Sequence, residues 1–291
     1  MTKRFDVVGI GNAMVDVLAR CEDDFLGEVG VEKGIMQLID MGRAVDLYGR
    51  VGPAREVSGG SAANTIAVVA SLGGSTAYVG KVKDDQLGAI FAHDLRAQGA
   101  VYETALATAK QKAETGRCIV LVTPDGERSM NTYLGVTEFL SPDDIDPGQM
   151  ADAAMIYLEG YRFDGPESHA AFAKAIEAAK GAGGKVSLTL SDPFCVERHR
   201  DAFREMLRDH VDLLFANRDE ICSMYETDDF EAALAAAADE IEIVACTESE
   251  KGAHILAGGQ RWHAPAKPVK VVDATGAGDA FAGAFLWAHS K

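Results

Sequence analysis

Short apolar runs rich in Val, Ile and Leu alternate along the chain with longer, Ala-rich segments whose apolar positions recur at helical spacing. That alternation predicts βα units around a buried, mostly parallel sheet. The pattern places strands at residues 5–11, 75–80, 118–123, 154–159, 185–190, 211–216, 241–246 and 253–256. Helices are predicted at 62–72, 86–98, 167–182, 200–208, 218–225, 229–239 and 277–288. Two stretches, 23–57 and 101–133, break the rhythm with short alternating pieces, glycine and charge. They read either as extra strands leaving the main sheet as a flap or as long surface loops.

Composition narrows the function classes. The 291 residues carry 28 Lys plus Arg against 45 Asp plus Glu, a formal balance of −17. That balance argues against a nucleic-acid or anionic-membrane surface, both of which need a basic face. No apolar run reaches about 18 residues, and the N-terminus lacks the apolar core of a signal peptide, so a cytoplasmic location is expected. The five cysteines, Cys21, Cys118, Cys195, Cys222 and Cys246, form no Cys-x-x-Cys pair and read as small buried hydrophobes in a reducing compartment. His93, His199 and His289 have no ligand-spaced partner and are expected on solvated helix faces.

Familiar nucleotide loops are missing. Gly9-x-Gly11 has Met14 where a dinucleotide fingerprint needs its third glycine, and no P-loop pattern occurs. The informative segment is Asp273-Ala-Thr275-Gly276-Ala277-Gly278-Asp279 leading into an apolar helix. Gly276 and Gly278 bracket the helix start, so the backbone N–H groups of Gly276, Ala277 and Gly278 form a candidate anion hole. Asp279 falls in the first turn, where the macrodipole is expected to keep its carboxylate ionised, as a general base requires.

This segment resembles the second signature of the ribokinase-like, phosphofructokinase-B-type carbohydrate and nucleoside kinases, and four further matches follow in order. Gly59-Gly60-Ser61-Ala62-Ala63-Asn64 is similar to the first signature, at the acceptor site. Gly11-Asn12 with Asp16 resembles the N-terminal acceptor contact. Gly80-Lys81-Val82 with Asp84, Asp85 and Gly88 matches the strand, turn and helix after the first signature. Asn217-Arg218-Asp219-Glu220 is similar to the Asn-x-x-Glu element near magnesium and phosphate. Within the family, Leu190-Ser191-Asp192-Pro193-Phe194 and the run from Val211 into Asn217 resemble adenosine kinases.

The resemblance implies a three-layer α/β/α domain over 1–291 with a mostly parallel sheet and a small β lid from segments near 13–57 and 101–133. It implies an ATP-dependent phosphotransferase acting on an alcohol, adenosine first, with a sugar kinase for ribose or fructose as the rival and a non-catalytic nucleoside sensor as the remote one. Asp279 is the expected base. Asn12, Asp16, Gly59, Gly60, Ser61 and Asn64 are expected at the acceptor, Asp16 and Asn64 being suited to a ribose diol or, alternatively, to capping helices. Phe194 either stacks on a purine or is plain core. Arg128 either reaches the transferred phosphate when the lid closes or is a solvated turn arginine.

The ATP side is assigned to Asn217, Thr247, Ser249, Gly252 and Thr275, with Ser249 standing where the family's Thr-x-Gly-x-x-Gly loop has glycine. Glu220 is expected to bind magnesium through water, its alternative being a solvated helix residue. Asp273 is placed beside a monovalent cation such as potassium. Family members continue past the Asp279 helix with segments that wall the ATP base, and a chain ending at Lys291 is expected to lack them. The partners expected are a nucleoside or sugar and ATP, with a monomer or homodimer as the assembly.

Overall fold

The computed structural model describes residues 3–270, 274 and 276–291. Its chain order is β1 (Phe5–Ile10), β2 (Met14–Arg20), α1 (Asp23–Val29), β3 (Met36–Leu38), α2 (Met41–Arg50), β4 (Ala54–Gly59), α3 (Ser61–Ser71), β5 (Thr76–Val79), α4 (Gln86–Ala97), β6 (Val101–Tyr102), β7 (Gly116–Val122) and β8 (Arg128–Tyr133). It continues with α5 (Pro147–Ala151), β9 (Ala153–Glu159), α6 (Ser168–Gly181), β10 (Lys185–Thr189), α7 (Pro193–His210), β11 (Leu213–Asn217), α8 (Arg218–Met224), α9 (Phe230–Glu240), β12 (Ile243–Thr247), β13 (Ala253–Ala257), β14 (Gln260–Ala264) and α10 (Ala277–His289).

The larger sheet runs β14-β13-β12-β11-β10-β9-β1-β5-β6, parallel except for the antiparallel β12-β13-β14 edge. Alternation along its strands splits the core into two layers. Val8, Ile10, Ile156, Leu158, Leu214 and Ala216 pack on one face with residues of α5 to α9. Val7, Met155, Tyr157, Leu213 and Phe215 pack on the other with α3, α4 and α10. Helices therefore cover both faces, which explains why the strands read as continuous apolar runs.

The smaller sheet, β3-β8-β7-β2-β4, is built from residues within 14–59 and 116–133. One face, with Val17, Ala19, Ile119 and Leu121, packs against Leu26, Val29 and Leu47 of α1 and α2. The other carries Met14, Leu18, Cys118, Val120 and Met130.

Several expectations need correction. Residues 23–57 hold two helices as well as strands: Asp40 accepts from the Arg43 N–H and starts α2, while α1 ends at Gly30, whose φ is +62°. The helix predicted at 200–208 begins at Pro193, because Asp192 accepts the N–H groups of Phe194 and Cys195 at its N-cap, and it breaks at His199. His199 is not on a solvated face: its Nε2 lies 2.7 Å from Asp164 Oδ1. Among the described residues no helix is long and apolar enough to cross a membrane.

Candidate functional site

Strand order reverses around β1, whose neighbours β5 and β9 lie on opposite sides of it. In open α/β sheets the crevice beyond the carboxyl ends of the strands at such a point is where ligands bind. Two clefts open there. The first, of about 460 Å³, is walled by Asn12, Gly60, Ser61, Asn64, Glu159, Tyr161, Asp164, Asn217, Glu220, Gly276, Ala277, Gly278 and Asp279, and roofed by the smaller sheet through Met14, Asp16, Met36, Leu38, Cys118, Arg128, Met130 and Thr132, with Leu134 just beyond β8. The second, of about 580 Å³, is walled by Thr189, Phe215, Asn217, Glu220, Thr247, Ser249, Gly252, Ala264 and Phe281. Ser61, Ser191, Asn217, Glu220, Ala277, Gly278 and Asp279 border both.

Asp279 stands on that seam. Its Oδ1 accepts the Ser61 hydroxyl at 2.7 Å and its Oδ2 the Asn64 amide at 3.0 Å. Burial pushes its pKa up, opposed by those two hydrogen bonds. The Ser61 and Asn64 hydrogen bonds favour the carboxylate, and they act at the N-terminal turn of α10, where the helix dipole favours it too. Gly276 takes φ +66° as the N-cap of α10. Of the three backbone N–H groups assigned to the anion hole, that of Ala277 donates to the Ala274 carbonyl at 3.2 Å. Asp273 and Thr275 lie outside the described residues.

Asp16 sits on β2 among Met14 and Leu18, on the strand face that meets the first cleft. Burial and the charge of Asp279 raise its pKa to about 7, against the pull of Arg128. Gly59 makes room for it, since a Cβ at Gly59 would come within 2.2–2.4 Å of the Asp16 carboxyl atoms. Gly60 takes φ +97°, and a Cβ there would meet the Asn12 carbonyl oxygen at 2.1 Å. Asn12 is buried and committed: its Oδ1 accepts from Arg162 Nη1 at 3.0 Å and from the Thr137 hydroxyl at 3.3 Å. Neither Asp16 nor Asn64 caps a helix.

Asn217 and Glu220 form a reciprocal cap at the start of α8. The Asn217 side chain accepts the Glu220 N–H at 2.8 Å, while Glu220 accepts the Asn217 N–H at 3.0 Å and its amide at 2.7 Å. Glu220 is buried, not a solvated helix residue, and burial raises its pKa to about 7. Thr247, Ser249 and Gly252 meet in the second cleft, and Ser249 adopts φ +47°, the left-handed conformation that glycine takes without strain. Arg128 enters the first cleft from β8. Phe194 is 58% exposed in the first turn of α7 and outside the walls of both clefts, so it is not plain core; its neighbour Pro193 lines the first cleft.

Two buried residues escaped the sequence reading. Glu159, at the end of β9, accepts the Asn12 N–H at 3.2 Å and the Ala62 N–H at 2.8 Å. Burial raises its pKa to about 7, opposed by those N–H groups and by the guanidinium of Arg162. Arg162 also donates to the Thr137 carbonyl and the Ser168 hydroxyl, both at 2.7 Å. The available signal was an acidic residue closing an otherwise apolar buried run.

A sequence model described as pfkB family carbohydrate kinase matches residues 34–291. This chain belongs to the pfkB family. The pfkB chain is 33% identical over 232 residues to an ATP-dependent ribose-1-phosphate kinase of Halopiger xanaduensis, covering 80% of this chain and 73% of that protein. A probable sugar kinase from Rhizobium etli CFN 42 superposes with a TM-score of 0.94 at 49% identity, covering 99% of this chain and 88% of that one. The adenosine kinase of Sinorhizobium meliloti superposes with a TM-score of 0.93 at 48% identity over the same shares. The fold is ribokinase-like, and this pfkB protein is an ATP-dependent kinase.

Proposed function

We propose that this kinase transfers the γ-phosphoryl group of ATP to the 5′-hydroxyl of a nucleoside, adenosine foremost, giving the monophosphate and ADP. The observation that carries this reading is the roof of the first cleft. Met14, Met36, Leu38, Cys118, Met130 and Leu134 offer apolar, sulfur-rich contact, with Asp16 set among them on β2, while Asn64 and Asp279 line the cleft from α3 and α10. A purine presents a flat apolar face to such a roof and leaves its ribose hydroxyls to the carboxylates. A free sugar has hydroxyls all round and would leave some unpaired there. The likeness to the Sinorhizobium meliloti adenosine kinase supports the same acceptor.

In this reading Asp16 accepts from the ribose diol, with Asn12, Gly59 and Gly60 fixing the approach of the backbone. Asp279, at the seam, takes the proton of the attacking hydroxyl, while Ser61 and Asn64 keep its oxygens oriented. ATP occupies the second cleft against Asn217, Thr247, Ser249 and Gly252. The Gly276, Ala277 and Gly278 amides meet the moving phosphoryl group, which requires the Ala277 N–H to leave the Ala274 carbonyl. Arg128 adds positive charge from the smaller sheet, which acts as a lid.

Magnesium would neutralise charge on the transferring phosphates. Both Glu220 oxygens already accept from Asn217, so the residue fits a water-mediated contact with the ion better than direct ligation. A potassium-type cation beside Asp273 belongs to the same proposal.

A sugar kinase is the second reading, favoured by the names of the Halopiger and Rhizobium relatives. An anionic sugar phosphate fits this cleft less well, because Asp16, Glu159, Asp164, Asp192, Glu220 and Asp279 line it against Arg128. ADP release measured with adenosine, other nucleosides, ribose, fructose and ribose 1-phosphate tests the choice. Turnover of a sugar without turnover of adenosine overturns the nucleoside reading.

A further inference from the structure

Helix α3 carries the two groups that hold Asp279, yet it begins without a cap of its own. Its N-cap is Gly60, which has no side chain to accept the first N–H groups, and the 2.1 Å clash with the Asn12 carbonyl leaves no room for one. A carboxylate from another strand takes that place. Glu159 reaches across from β9 to accept the Ala62 N–H in the first turn of α3, and with its other oxygen it accepts the Asn12 N–H beyond β1. Gly11 is shaped to this arrangement, since a Cβ there would lie 2.4 Å from Glu159 Oε2 and 2.6 Å from the Ala62 Cβ. Arg162, packed beside the carboxylate, holds the Asn12 side chain at 3.0 Å.

We infer that Glu159 is a positioning residue for phosphoryl transfer: by capping α3 from β9 and tying it to the Asn12 turn, it sets the Ser61 and Asn64 side chains that orient Asp279. The inference rests on the reading of Asp279 as the base. A remote cap leaves Ser61 and Asn64, in the first turn where such side chains would ordinarily bond their own backbone, free to turn outward to the seam. Misplacing a catalytic group by about 1 Å costs on the order of 10²-fold in rate, so the cap acts on turnover more than on binding.

The test is the Glu159→Gln variant, in which one N–H faces an amide instead of an acceptor. Expected is a 10- to 100-fold fall in kcat with the KM for ATP and for the nucleoside within about threefold. In a Ser61→Ala/Asn64→Ala background, Glu159→Gln is expected to produce less than a twofold further loss, because the route to Asp279 is already cut. If Glu159→Gln does not fold, the same measurements are made on Glu159→Asp, which keeps the charge but withdraws it by one methylene. A raised nucleoside KM with kcat held would make Glu159 a substrate contact and overturn the inference. So would an unchanged kcat, or an undiminished loss in the double-variant background. The underlying reading fails separately, through full turnover by Asp279→Asn.

Discussion

Asn64 donates its amide to Oδ2 of Asp279 at 3.0 Å, joining two signatures 215 positions apart in sequence. The bond favours the ionised form of a carboxyl group that burial otherwise pushes toward protonation. Replacing Asn64 by Leu removes it. The acid limb of the kcat/KM profile is then expected to move to higher pH, because Asp279 holds its proton longer, and kcat at neutral pH to fall by about tenfold. A pH-rate series on the variant and the parent checks both.

Asp279→Asn removes the proposed base while preserving shape. Turnover is expected to drop by about 10² to 10⁴-fold. Thermal melting is expected to hold or rise, since a buried group that resists ionisation is replaced by a neutral one. Coupled ADP release and calorimetry read the two effects independently.

Glu159, Asp16 and Glu220 all have folded-state pKa values raised to about 7. In the unfolded chain they titrate near ordinary carboxylate values, so from about pH 4.5 to about pH 7 the folded state binds more protons than the unfolded one. Stability therefore falls as pH rises through that window and levels off above it. Melting of the ligand-free protein is expected at a higher temperature at pH 5.5 than at pH 7.5. Glu220→Gln flattens the slope.

Gly59→Ala drives a methyl group into the Asp16 carboxyl, with 2.2 Å to its carbon. Displacing Asp16 is expected to raise the acceptor KM at least tenfold while the KM for ATP stays within twofold. Initial rates with each substrate varied separately decide it.

Ser249 holds φ +47° in the turn before β13, a conformation that strains a residue with a Cβ. Ser249→Gly removes that strain at the expense of a more flexible unfolded chain. A net gain of about 0.5–1 kcal/mol is expected, read as a small rise in the melting temperature, with the KM for ATP unchanged.

The layers of the fold were legible because both faces of β1, β9, β10, β11 and β12 are buried, so apolar runs betray them directly. Strand β14 was not: every residue of Gln260–Ala264 is exposed, and nothing in its pattern separates it from a loop. Helix α1 spans only Asp23–Val29 and contains Gly27, too short for a periodicity to show. At the site, the glycine-bearing signatures announced their positions because they depend on local backbone. Glu159 and Arg162 did not, since Glu159 acts on partners 97 and 147 positions away and Arg162 reaches Asn12 across 150, and no short motif records such a pairing. Phe194 was not legible as exposed, since aromatics are usually buried, and its place just after the N-cap at Asp192 leaves it 58% exposed in the first turn of α7.

The two clefts share Ser61, Asn217, Glu220 and Asp279 as lining, so an occupant of either meets side chains that the other also meets. In the proposed reading one occupant is the acceptor and the other ATP, and each contacts groups that face the other. Thermodynamic reciprocity then requires that any factor by which the acceptor alters the affinity for nucleotide be returned in full by the nucleotide. In the proposed reading, side chains common to both clefts thereby give acceptor and nucleotide a route of mutual influence within one chain.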